Sequence, residues 1–117
     1  MTAPLDVYVR AATLRRVVDA DTIDVHVDLG FRCSSAQRLR VLGVDAPERR
    51  ATGGSAATAW VTAWLAGRRL VIRSHAQDSF GRWLADVLDA DTGVSLGVEM
   101  LAAGHARVMD EFLGPGR

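Results

Sequence analysis

Four carboxylates in two short clusters are the groups in this chain best placed to do chemistry. Asp19 and Asp21 stand in Val17-Val18-Asp19-Ala20-Asp21-Thr22, and Asp45 and Glu48 close Arg40-Val41-Leu42-Gly43-Val44-Asp45-Ala46-Pro47-Glu48. Each cluster ends a strand-like run. Brought together without compensation, four such groups repel one another. Carboxylate oxygens are the ligands that hard divalent cations such as calcium or magnesium take, so the pattern points to a metal site. Asp19 and Asp21, two apart, share a strand face, while Pro47 stops the later strand and turns Glu48 back over the same edge.

Arg40 stands among the apolar residues Leu39, Val41, Leu42 and Val44. A guanidinium there packs its stem along the sheet and sends its fork to a carboxylate or a phosphate. From spacing alone, a solvated turn also accounts for the acids and a surface cation for Arg40. Arg82 leaves the turn Asp78-Ser79-Phe80-Gly81-Arg82 at the start of a strand; set opposite Arg40 across one cavity, it would complete a pair gripping an anion.

The elements that must position these groups are short strands. Leu5 to Val18 alternates with period two and reads as a first strand, Ile23 to Leu29 as a second and Gln37 to Val44 as a third, with Gly30 to Ala36 as the connection. Ser55 is the expected cap of a helix carrying Trp60, Val61, Trp64 and Leu65 on its core stripe, ended by Gly67. Leu70 to Ile72 and Trp83 to Leu88 supply two more strands, Asp89 to Gly93 a turn, and Ser95 the cap of a second helix that ends at Gly104. His105 to Phe112 is amphipathic but short. Five strands with a helix between the third and fourth predict a mainly β fold, a five-stranded Greek-key barrel of the oligonucleotide-binding (OB-fold) type with two or three short helices.

The 117 residues, 49% hydrophobic, suffice for one core and one domain spanning residues 1–117. Fourteen basic residues, all arginine, balance fourteen acidic ones, so no overall field recruits a polyanion and any attraction for nucleic acid is local. Cys33 is the only cysteine, which excludes an intramolecular disulfide and a cysteine-based zinc site. His26 on the polar face of the second strand has no ligand-spaced partner and reads as exposed. No membrane span or secretory signal is legible, so the expected setting is cytoplasmic, with a processed secreted form left open. A monomer is expected, with membership of a larger assembly left open.

With Leu101-Ala102-Ala103-Gly104-His105-Ala106-Arg107-Val108 added, the motifs around Asp21, Asp45 and Arg82 resemble those of the staphylococcal nuclease (thermonuclease) family, in order and over nearly the whole chain. The resemblance implies calcium-dependent hydrolysis of DNA or RNA, single strands preferred, leaving 3′-phosphate ends. It implies Asp21, Asp45 and the Ala46 backbone carbonyl as calcium ligands and Asp19 in support. By the same resemblance Glu48 aims or deprotonates the attacking water, and Arg40 and Arg82 bind the scissile phosphate. Phe80, Asp110 and Phe112 stand where the family has nucleotide-binding tyrosines, and Arg49 and Arg50 where its loop has lysines. The competing expectations are a catalytically weak binding or structural module on the same barrel, and a metal-independent single-strand binder using Tyr8, Phe31 and Phe80 as stacking surfaces.

Overall fold

The computed structural model describes residues 8–109. Strands β1 (Val9–Asp19), β2 (Thr22–Gly30), β3 (Cys33–Val41), β5 (Leu70–Gln77) and β6 (Trp83–Asp89) close a barrel in the order β1-β2-β3-β6-β5. Helix α1 (Gly54–Leu65) lies between β3 and β5, and helix α2 (Leu96–Ala102) follows β6. A second, two-stranded sheet pairs β4 (Val44–Asp45) with β7 (Arg107–Val108). The expected OB-type barrel with its interrupting helix is therefore present.

Alternation fills the barrel. Ile23, Val25, Leu39, Val41, Leu70, Ile72, Ala85 and Val87 point inward, while Ala57, Val61, Trp64 and Leu65 of α1 and Leu96 and Met100 of α2 complete the core. Trp64 is in that core as the helical spacing predicts; Trp60 is only partly buried and stacks on His105 at a centroid distance of 5.4 Å. Ser95 caps α2 by accepting from the Val98 amide. His26 is exposed, as expected, and the Cys33 thiol is free and exposed as well.

Several boundaries differ from the sequence reading. The described first strand starts at Val9, the residues before Tyr8 lying outside the description, and it carries two bulges. The connection expected over Gly30 to Ala36 is only a tight turn, because Phe31 and Arg32 both take the left-handed conformation a two-residue hairpin needs. Ser34 and Ser35 pair with β2 instead of forming a loop. The third strand stops at Val41 and restarts as β4, since Gly43 at φ 78° breaks the run. The N-cap of α1 is Gly53, not Ser55, with no side-chain cap. Arg107–Val108 is a strand, not a helix, and the rest of the segment to Phe112 lies outside the described residues.

The turn after β6 is organised by Asp89. Its carboxylate takes the Arg68 guanidinium at 2.7 Å and the amides of Asp91 and Thr92. The turn expected over Asp89 to Gly93 is therefore present, held by this acid. Arg68 beside it, with the turn amides, holds the carboxyl below its ordinary range. A depressed acid adds stability that is present above its unfolded value, near 3.9, and is lost as the pH falls through the folded value. Asp89→Asn should therefore be less stable than the parent at neutral pH, and the gap should close on acidification below about pH 4. Denaturant unfolding followed from pH 7 downward checks this; a gap that stays constant with pH refutes it.

Candidate active site

Three segments meet at one edge of the barrel. The β1–β2 turn presents Asp21, strand β3 brings Arg40, and the β3–β4 turn returns Asp45 beside them. Pairing of Thr22 with Arg40 sets Asp21 next to that arginine, and the Val41 amide fixes the turn by donating to the Asp21 carbonyl at 2.9 Å. Val44 and Ala46 are buried, so β4 cannot swing outward.

Arg40 is 4% exposed and Asp21 7%. Arg40 Nη2 lies 3.4 Å from Asp21 Oδ2 and 3.3 Å from Asp45 Oδ1. Its Nη1 donates to the carbonyls of Val44 (2.6 Å) and Val41 (3.3 Å), and Nη2 also contacts the Met109 sulfur at 3.2 Å. The Asp21 carboxylate accepts besides from the Thr22 hydroxyl and the Ala46 amide, both at 3.0 Å. Arg107, directly across from Asp45 in the β4–β7 pair, donates from Nε and Nη2 to Asp45 Oδ2. Thus the buried arginine reading holds, and the surface-cation reading of Arg40 does not.

The other expected residues are dispersed around this centre. Asp19 accepts from the Arg49 amide at 3.0 Å, and the Arg49 guanidinium caps the carbonyls of Val17 and Val18. Arg49 therefore anchors the loop to β1 and does not project as a free basic residue. Glu48 is exposed on the same loop. Helix α1 starts hard against it: a Cβ on Gly54 would lie 1.6 Å from the Glu48 carbonyl oxygen.

Arg82 binds Asp78 within its own turn, Nε to Oδ2 at 2.7 Å, with its guanidinium 5.4 Å from the Phe80 ring centroid. Burial pushes the Asp78 carboxyl up, but the amides of Arg82 and Phe80 and the guanidinium outweigh it and hold it low. The contacts of Arg82 are thus local, and they do not reach the Arg40 cluster. Because Leu39 pairs with Trp83 and Arg40 with Leu84, the register sets Leu84 opposite Arg40, and Arg82 lies just before β6 begins. Phe80 is exposed, as is Phe31; Asp110 and Phe112 lie outside the described residues.

Asp45, Ala46, Thr52, Gly53, His105 and Arg107 line an open cavity of about 600 Å³ alongside the cluster. Arg107 was the residue missed from the sequence. Its motif was visible, but nothing in the spacing said that it would pair with an acid 62 positions away.

Donor chemistry decides whether a cation fits. Two hard oxygen donors, Asp21 and Asp45, converge on one point, the Arg40 Nη2. Among the described residues no group of three His, Cys, Asp or Glu side chains gathers. Two carboxylates with the balance from water, backbone or substrate oxygens suit a divalent cation that retains part of its hydration. The residues therefore fit such an ion as a sparse site, and the donors alone do not select calcium.

Comparison with known proteins adds an independent line. Residues 38–115 match the model of a family described as staphylococcal nuclease homologue. The match spans Arg40, Asp45, Glu48, Arg82 and Arg107 and starts beyond Asp19 and Asp21. A relative named "Uncharacterized endonuclease" from Escherichia coli O157:H7 is 31% identical over 97 residues, 83% of this chain and 60% of the relative. "Probable endonuclease lcl3" from Aspergillus niger is 36% identical over 90 residues, 65% of this chain and 33% of the relative. The chain thus spans between one third and three fifths of these relatives.

Removing Arg40 leaves two carboxylates facing each other with their shared cation gone. Arg40→Ala should cost about 3–5 kcal/mol, the toll of breaking a buried pair. Gly54→Ala should cost roughly 1–3 kcal/mol through the clash with Glu48. Urea titration of both variants checks the values, and parent-like midpoints would show that neither contact holds the edge together.

Proposed function

Because this chain belongs to the staphylococcal nuclease homologue family, we propose that it hydrolyses phosphodiester bonds in DNA or RNA at the edge where Asp21, Arg40 and Asp45 meet. One observation carries the reading: a buried guanidinium is shared by two acids brought from separate turns. A core gains nothing from such a group that an apolar residue would not supply more cheaply.

Asp21 and Asp45 would hold the cation, calcium by resemblance, with the Ala46 carbonyl as a further donor. Bound there, the ion would neutralise the acidic pair and polarise a phosphoryl oxygen. Arg40, immobilised by two carbonyls and two carboxylates, needs no reorganisation to oppose charge that develops on the phosphoryl oxygens. Glu48, exposed on the loop, is free to reach solvent and orient the attacking water. Asp19, through the Arg49 amide, holds that loop in place. Arg82 starts from the Asp78 pair and would exchange that partner for a substrate phosphate on the neighbouring strand. Product ends with a 3′-phosphate follow from the resemblance, as does the preference for single strands.

The test is cleavage of end-labelled single-stranded DNA and RNA with calcium, with magnesium and with chelator. Cleavage should require the cation. Glu48→Gln and Arg82→Ala should each lower the rate by roughly 10²–10³-fold, as loss of a positioned catalytic group does. Cation-independent cleavage would overturn the metal assignment, and full activity in both variants would overturn the residue roles.

A further inference from the structure

Each oxygen of the acidic pair already has a partner. Asp21 Oδ1 accepts from the Thr22 hydroxyl, and Oδ2 from the Ala46 amide with Arg40 beside it. Asp45 Oδ1 faces Arg40 and Oδ2 faces Arg107. At Asp45 an approaching cation must compete with the guanidinium that each oxygen already faces. The two arginines differ sharply in their freedom to yield.

Arg40 is buried, and withdrawing it would orphan the carbonyls of Val44 and Val41 as well as both acids. Arg107 has a side chain 83% exposed, stands in a two-residue strand, and donates from Nε and Nη2 to the single oxygen Asp45 Oδ2. An exposed pair of this kind is weak and yields readily to a competing charge. The same arm lines the cavity of about 600 Å³ that runs alongside Asp45.

We propose that Arg107 is an exchangeable cation at Asp45: a divalent ion and this guanidinium compete for Oδ2, and the displaced arm turns into the cavity to take a phosphate of the substrate strand. The inference rests on the metal reading given above. Arg107 is accordingly a binding residue that senses whether the cation is in place. Its pairing with Asp45 keeps the acid neutralised until then. After displacement, its flexible stem and planar fork suit a backbone phosphate.

Thermal unfolding of the whole chain, followed against calcium and then magnesium, tests the exchange without any turnover. Arg107→Ala and the length-conserving Arg107→Gln should both reach half-maximal cation stabilisation at about two- to fivefold lower concentration than the parent, the reach of one exposed ion pair. In a Glu48→Gln background at saturating cation, binding of a labelled single-stranded oligonucleotide should weaken on adding either substitution. Its salt dependence should become shallower by roughly 0.7 in log–log slope, the share of one phosphate contact. A cation midpoint that is unchanged or raised in both variants, beside a normal response in the parent, overturns the exchange alone. No stabilisation of the parent or of either variant by any cation overturns the metal reading and the exchange with it.

Discussion

A buried guanidinium between two carboxylates is the constraint on which this edge of the molecule depends. Arg40 joins the β1–β2 turn, strand β3, strand β4 and, through the Met109 sulfur, the segment after β7. Burying Arg40 and Asp21 beside the half-buried Asp45 is expensive, and the Coulombic attraction among them offsets that cost only with close geometry and further hydrogen bonds. The Thr22 hydroxyl, the Ala46 amide and the Val41 and Val44 carbonyls provide those bonds. Such a network sets one arrangement of the turns rather than adding much stability, which is what a site requires of its scaffold.

Around that centre the backbone does much of the positioning. Gly54 permits α1 to begin against the Glu48 carbonyl, a distance no side chain would allow. Asp19 and Arg49 tie the same loop back to the end of β1. The parallel pairing of β3 with β6 sets Leu84 opposite Arg40, while Asp78 holds Arg82 within the preceding hairpin. The buried arginine and its acids thus have one exposed arginine beside them, Arg107, whose carboxylate partner is Asp45.

Formal neutrality with arginine as the sole basic residue fits this arrangement. Many of the cations are consumed locally: Arg16 and Arg38 on Asp24, Arg68 on Asp89, Arg69 on Asp91, Arg82 on Asp78, Arg107 on Asp45. Little long-range field remains to steer a polyanion, so any such attraction would be local. The exposed rings of Phe31 and Phe80 stand apart from each other at separate hairpin turns, and one of them already carries a guanidinium. Tyr8, also exposed, stands just before β1, so the three candidate rings come from three separate segments.

How much of this was legible beforehand follows from the range of each interaction. Period-two alternation and the glycine turns disclosed the barrel, its interrupting helix and the placing of Asp21 and Asp45 at strand ends, because facing and turning are local properties of a chain. The same local signals misjudged the Gly30 to Ala36 connection and the helix start, where Phe31, Arg32 and Gly53 adopt left-handed conformations that spacing does not announce. Only the closed barrel and the β4–β7 pair decided that Arg40 would be buried between two acids, that Arg49 would be spent on β1 and that Arg107 would reach Asp45. Except for Arg40 with Asp45, those meetings join residues distant in the chain, and a charged side chain takes whichever opposite charge the folded backbone brings within reach, which no pattern of neighbours along the chain encodes.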